Sequence, residues 1–156
     1  MVELYKTILV PTDGSEPSNH ALEHALVIAE KYDAKIQLLS VVSRIVMPFF
    51  SDGGLGRTPI STVEDYVRYQ DQLREVYKNV LKTAEKKVEE THPDLKVETL
   101  LKEGKPSTII VETAESNNVD LIVIGSRGLG GISGLILGST SRRVVDSCTK
   151  PILIIK

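Results

Sequence analysis

The chain of 156 residues reads as an α/β protein: one domain, residues 1–156, built on an open parallel five-stranded sheet with helices on both faces. Three observations predict this. Short apolar runs of strand length alternate along the chain with amphipathic stretches of helical period. The two densest runs, Ile8-Leu9-Val10 and Leu121 to Ile124, lack polar alternation, as strands buried on both faces do. Helical crossovers rather than tight hairpins separate the runs, and strands joined that way lie parallel.

Tyr5 to Val10 is the first strand, closed by Pro11-Thr12-Asp13-Gly14. Ser15 is placed as an N-cap with Pro17 in the first turn, which opens a helix to about Tyr32 with an apolar stripe of Ala21, Leu22, Ala25, Leu26 and Ala29. Ile36 to Val42 is the second strand. Ser61-x-x-Glu64 has the form of a capping box ahead of a long helix, whose buried face is predicted to hold Val63, Val67, Leu73, Val76, Val80, Leu81, Ala84 and Val88. Pro93-Asp94 stops it. Lys96 to Lys102 alternates apolar and polar residues over part of its length, which suits a strand at a sheet edge. Pro106 starts a helix to about Asn117, Leu121 to Ile124 forms the fourth strand, Ser139 to Ser147 the last helix, and Ile152 to Ile155 the fifth strand.

Composition narrows the function classes. Charged residues make up 26% of the chain with a formal net charge of −2, and basic residues cluster only as the pairs Lys86-Lys87 and Arg142-Arg143, so no nucleic-acid partner is expected. The single Cys148 precludes an internal disulfide, fits a reducing compartment and is expected to pack as a small buried residue. No run approaches the roughly 20 apolar residues of a membrane helix, and no secretory signal opens the chain. A cytoplasmic protein is expected.

The most informative segment is Gly125-Ser126-Arg127-Gly128, followed by Gly138-Ser139. It lies between the fourth strand and the last helix, where glycines let backbone N–H groups approach an anion and a helix N-terminus adds donors and a favourable dipole. It is not a P-loop, for it lacks Gly-x-x-x-x-Gly-Lys-Ser/Thr. Nor is it the dinucleotide fingerprint, because Gly128-x-Gly130 is followed by Ser133 where a third glycine belongs. Glycines that merely shape a turn are the plain alternative. Against it stand the density of Gly125, Gly128, Gly130, Gly131, Gly134 and Gly138 and the hydroxyl cluster Ser139-Thr140-Ser141. This loop and Pro11–Gly14 leave the two most apolar strands, and open α/β sheets bind ligands beyond the C-terminal ends of central strands.

Gly125-x2-Gly128-x9-Gly138-Ser139 resembles, spacing included, the ATP-binding motif of the universal stress protein family. Ile8-Leu9-Val10-Pro11-Thr12-Asp13-Gly14-Ser15, Gly104-x-Pro106 and Lys150-Pro151-Ile152-Leu153-Ile154-Ile155 extend the likeness from about residue 4 to residue 156. The resemblance implies strand order 3-2-1-4-5, a dimer, and an adenine nucleotide (ATP, or ADP or AMP), with Mg2+ or Mn2+ held by phosphates and water. Position by position it implies Asp13 on the ribose hydroxyls, the Val41 backbone on the adenine edge and Pro11 and Thr12 lining the pocket. Gly125, Arg127, Gly128, Gly138, Ser139, Thr140 and Ser141 would surround the phosphates. Gly128→Val is expected to abolish binding with the fold intact, its side chain intruding on the phosphate path.

His20-x-x-Glu23-His24 matches a zinc-peptidase pattern, but the histidines fall on the solvent side of the helical wheel and no third ligand is visible, so no metal site is assigned. The 43–60 loop, which carries Phe49 and Phe50, is expected to cover the base or meet a partner subunit. The apolar terminal strand 151–156 is expected to pair with its copy in a homodimer. No catalytic residue is assigned. The favoured reading is a nucleotide-dependent regulatory or stress-response protein that answers to an unidentified protein partner. A slow ATPase or phosphotransferase and a ligand-free dimeric scaffold are the alternatives.

Overall fold

The structure, a computed structural model, describes residues 4–46, 62–129 and 137–156. In chain order the elements are β1 (Thr7–Pro11), α1 (Glu16–Tyr32), β2 (Lys35–Val42), α2 (Val63–Thr91), β3 (Val97–Glu103), α3 (Pro106–Ser116), β4 (Leu121–Gly125), α4 (Ser139–Ser147) and β5 (Ile152–Ile155). The strands form one sheet in the order β3-β2-β1-β4-β5, and every neighbouring pair is parallel. The strand order therefore reverses between β1 and β4, and β3 and β5 are the edges.

The two-residue period of the strands divides the core. Ile8, Val10, Ile36, Leu38 and Val123 face α1 and α2, while Leu9, Leu39, Val41, Ile122 and Ile124 face α3 and α4 through Ile110, Ala114 and Val144. α1 starts at the cap the sequence predicts: Ser18 N–H donates to Ser15 Oγ at 3.3 Å, and the whole predicted stripe Ala21, Leu22, Ala25, Leu26 and Ala29 is buried. Pro106 opens α3, where its missing N–H costs nothing.

The long helix departs from the reading in two ways. Its cap is Thr62, whose Oγ1 accepts from Asp65 N–H at 3.0 Å, one residue beyond the predicted Ser61, which lies outside the described residues. Its predicted apolar face is buried only toward the C-terminus, at Leu81, Ala84 and Val88, while Val63, Val67 and Val76 are exposed. Length explains this. At about 1.5 Å per residue α2 spans roughly 43 Å, whereas β3 at about 3.3 Å per residue spans roughly 23 Å, so the N-terminal half of α2 overshoots the sheet. Arg74 bridges the overhang to the sheet by pairing with Glu103 at the end of β3 and with Asp71 on its own helix.

Candidate functional site

Beyond the C-terminal ends of the central strands the chain opens into a cavity of about 400 Å³. Its floor is the exit of β1. Thr12 N–H continues the ladder one step past the strand by donating to Leu39 O at 2.8 Å, and Ser40 Oγ donates back to Thr12 O at 2.6 Å. Thr12 is thereby buried and fixed, and its Oγ1 lies 3.3 Å from Ser18 Oγ. Gly14 has φ +82°, a left-handed turn that favours glycine, and a Cβ there would also press on Val80 Cγ2 of α2 at 3.1 Å. The turn aims Asp13 across the cavity mouth. Its Oδ1 accepts from Ser15 N–H and its Oδ2 from Leu129 N–H, both at 3.0 Å, so this carboxylate ties the β1 turn to the glycine loop.

The opposite wall is the exit of β4, where the glycines do different work. A Cβ on Gly125 would lie 2.8 Å from the Pro17 carbonyl carbon and 2.9 Å from Ser18 N, so this glycine lets the β4 end pack against the first turn of α1. A Cβ on Gly128 would lie 2.5 Å from Asp13 Oδ2. The first protein group that a side chain at position 128 meets is therefore the Asp13 carboxylate. Gly138 N–H donates to Ser126 O at 2.6 Å, and the buried Ser141 hydroxyl lies 2.8 Å from the same carbonyl, which clamps the start of α4 to the end of β4. Ser141 serves the wall of the cavity through that clamp.

α4 begins without a side-chain cap, because its N-cap is Gly138. The N–H groups of its first turn have no intrahelical acceptor and lie where Ser139 and Thr140 line the cavity. Arg127, exposed beside them, makes no hydrogen bond or ion pair among the described residues. A helix N-terminus whose first N–H groups lack an intrahelical acceptor and a guanidinium unpaired among the described residues make this end of the cavity receptive to an anion.

Val41 forms the third side. Main-chain groups of successive residues in a strand point to alternate neighbours. Leu39 O serves the β1 side and Val42 O accepts from Gly104 N–H on the β3 side, so the N–H and C=O of Val41 point to the β1 side, beyond the last β1–β2 pair at Pro11↔Leu39. A donor and an acceptor thus stand side by side at the cavity edge. All eleven residues singled out in the sequence (Pro11, Thr12, Asp13, Val41, Gly125, Arg127, Gly128, Gly138, Ser139, Thr140 and Ser141) line this one cavity.

Among the further lining residues that the sequence reading missed are Ser43, Tyr77 and Ile110. Gln70 Nε2 on α2 donates to the Ser43 carbonyl at 3.4 Å, which holds the chain just after β2 near the mouth. Burial, and secondly the negative charge of Asp13, push the Tyr77 phenol above its ordinary value, so it is a neutral donor near the carboxylate at physiological pH. Its spacing to Leu81, Ala84 and Val88 extends the buried stripe of α2, a signal that could have found it.

The zinc-like pattern of α1 is spread over a solvated face: His20 and His24 are exposed, and Glu23 pairs with Lys87 of α2 at 2.6 Å. That hydrogen bond and charge hold the Glu23 carboxyl below its ordinary range. Among the described residues no group of three His, Cys, Asp or Glu side chains could hold a metal ion. Cys148 follows α4 half-buried against the α3 side of the core. Phe49 and Phe50, with most of the 43–60 loop, lie outside the described residues. No helix among the described residues is long and apolar enough to cross a membrane.

An open parallel sheet with a cavity at its switch point defines a doubly wound α/β protein of the kind that binds ligands at that crevice. Residues 4–156 match the sequence model of the universal stress protein family, and the chain belongs to that family. It is 36% identical over 153 residues to universal stress protein MJ0531 of Methanocaldococcus jannaschii, covering 98% of this chain and 83% of that one. The solved structure of MJ0577 from the same organism superposes with a TM-score of 0.78 at 30% identity, covering 98% of this chain and 96% of that one. A universal stress protein solved in complex with cAMP superposes with a TM-score of 0.63 at 25% identity, covering 97% and 96% of the two chains.

Proposed function

We propose that this chain is a regulatory protein of the ATP-binding branch of its family, one that holds an adenine nucleotide in the cavity and signals occupancy to a protein partner in the cytoplasm. The observation that carries the reading is the convergence of the eleven motif residues on one cavity. The paired donor and acceptor of Val41 match the edge of adenine, and the Asp13 carboxylate suits ribose hydroxyls. Arg127 and the open start of α4 suit phosphate. The complex of a relative with cAMP supports the same ligand class.

The described residues form no protein-held metal site, and on this reading Mg2+ or Mn2+ would be held by phosphates and water, with a hydroxyl of Ser139 or Thr140 as a protein ligand. Among the described residues the one carboxylate lining the cavity is Asp13, whose oxygens already accept from two backbone amides. Neither favours efficient hydrolysis, and holding the nucleotide is the reading we adopt over catalysis. Denaturing freshly purified protein and identifying the released nucleotide by chromatography tests this. Co-purified ATP or AMP with negligible phosphate release is expected. ADP with steady phosphate release would move the reading to the slow hydrolase, and a protein that is empty and gives no titration heat would move it to the scaffold.

Assembly as a homodimer through residues 151–156 is part of the same proposal. β5 is a sheet edge, and Ile155 O and Pro151 O both serve β4, so the N–H and C=O of Ile152 and Ile154 point outward. An antiparallel copy can take up those groups. Ile154→Pro removes an outward donor and leaves the β4 ladder whole. We expect a dimeric mass by light scattering at micromolar concentration for the natural chain and a monomeric mass for the variant. A monomeric natural chain would refute this assembly.

A further inference from the structure

α2 brings to the cavity a group that neither the glycine loop nor the β1 turn contains. Tyr77 lines the wall, and its phenol hydroxyl makes no hydrogen bond among the described residues. A partly buried tyrosine hydroxyl ordinarily finds a partner. The stretch of helix that carries it is fixed on both sides. Toward the C-terminus, Leu81 is buried in the core and Val80 lies against Gly14, so the turn that aims Asp13 packs on this part of α2. Toward the N-terminus, Arg74 pairs with Glu103 and Gln70 donates to the Ser43 carbonyl. Asp13 is near enough for its charge to act on the phenol, which stays protonated at physiological pH and can donate.

A sugar hydroxyl both donates and accepts, whereas an ionised carboxylate only accepts, at about four lone-pair sites. Asp13 gives one site to Ser15 N–H and one to Leu129 N–H. Its remaining sites can take hydrogens from sugar hydroxyls, but the oxygens of those hydroxyls still need a donor. The nearby hydroxyls of the β1 turn are committed elsewhere. Thr12 Oγ1 lies 3.3 Å from Ser18 Oγ, and Ser18 Oγ donates to Ser15 O at 2.9 Å. The Tyr77 hydroxyl has no such commitment among the described residues. A carboxylate that accepts and a neutral phenol that donates complement the two halves of one hydroxyl group.

We propose that Tyr77 is a specificity-determining residue: its hydroxyl donates to the oxygen of a ribose hydroxyl whose hydrogen goes to Asp13, and the cavity thereby prefers ribonucleotides to deoxyribonucleotides. This rests on the adenine-nucleotide reading above and on Asp13 as the ribose acceptor. An analogue without that hydroxyl leaves both protein groups short of a partner, which is the costly outcome for a polar site. The experiment is a calorimetric titration of the natural chain and of Tyr77→Phe with AMP, 2′-deoxy-AMP and 3′-deoxy-AMP. Phenylalanine keeps the ring and removes the hydroxyl alone. The natural chain is expected to bind AMP about tenfold or more tighter than at least one of the deoxy analogues. In Tyr77→Phe the AMP affinity is expected to fall about three- to tenfold while the affinity for that analogue holds or rises, so the ratio narrows. A natural chain that binds all three alike overturns the inference. So does a variant whose ratios are unchanged, including one that loses AMP and both analogues in equal proportion, as a packing defect would make it do. A folded natural chain that binds none of the three overturns the nucleotide reading itself, which the other outcomes leave standing.

Discussion

The two ends of the sheet are built on opposite plans. At the end where the strands begin, polar groups close on one another. Asp120 Oδ2 accepts from the N–H groups of Lys6 and Thr7 at 2.8 and 2.9 Å and so pins β1 to β4. Gln37, buried in β2, donates to Glu98 of β3 at 2.8 Å and accepts from Asn117 at the end of α3 at 3.1 Å. Glu115 takes both the N–H and the hydroxyl of Thr149 ahead of β5. At the end where the strands finish, α4 starts on a bare glycine, the main-chain groups of Val41 face a cavity and Arg127 is unpaired among the described residues. One end holds strands in register, and the other leaves donors without a partner among the described residues. Within the site end itself the helix starts differ: α1 is capped by its own Ser15, and α4 has no side-chain cap.

Substitutions at the two ends should therefore separate stability from binding, and Gly125 is the position expected to break both. Its added Cβ would meet backbone atoms of Pro17 and Ser18, which cannot swing away. Gly125→Ala is expected to cost about 1–3 kcal/mol in urea unfolding and to weaken nucleotide binding with it. Gly128→Val meets a side chain instead, the Asp13 carboxylate, which can rotate aside. It is expected to lower nucleotide affinity by about tenfold or more while the unfolding midpoint moves little. A large loss of stability here would show that the Asp13–Leu129 tie holds the fold rather than the site.

At the closed end the expectation reverses. Asp120→Ala removes the acceptor of two backbone donors and should cost about 1 kcal/mol of stability without changing nucleotide affinity. Smaller still is the response to pH. Hydrogen bonds from Gln37 and Lys35 to Glu98, and from Thr149 to Glu115, hold both carboxyls below their ordinary value of 4.5. Their contribution is then full above that value and is lost as pH falls through the lower folded values. Tyr77 has the opposite sign: its phenol is raised above 10.0, so its contribution is full below that pH and is lost as pH rises beyond it. Thermal unfolding from pH 3 to 7 (pH values chosen about the ordinary carboxyl range) should show the acid loss. Replacing Glu98 by Gln should flatten it.

The sequence made the site end legible because its chemistry is written in conformationally distinctive residue types at short range. Glycines after a buried strand and hydroxyls at a helix start need no knowledge of neighbours to interpret. What escaped depends on distance in space. The helical period of α2 was plain, but a period cannot tell that the helix outruns the sheet, so Val63, Val67 and Val76 were placed in the core and are exposed. At Gly125 the sequence gives no sign that the first turn of α1 packs against it. The closed end left no motif at all, since Asp120, Gln37 and Glu98 become partners only when strands far apart in sequence align.

The central claim is that the cavity between the exits of β1, β2 and β4 is where an adenine nucleotide binds. An amide-resolved NMR titration with AMP addresses it directly, because it reads both ends of the sheet in one experiment. The account predicts saturable shifts at Thr12, Asp13, Val41, Arg127, Gly128 and Ser139 to Ser141, with Lys6, Gln37, Asn117 and Thr149 unmoved. Shifts confined to the closed end or to the outer edge of β5, or none at millimolar AMP (an affinity of about 4 kcal/mol or less), would contradict it.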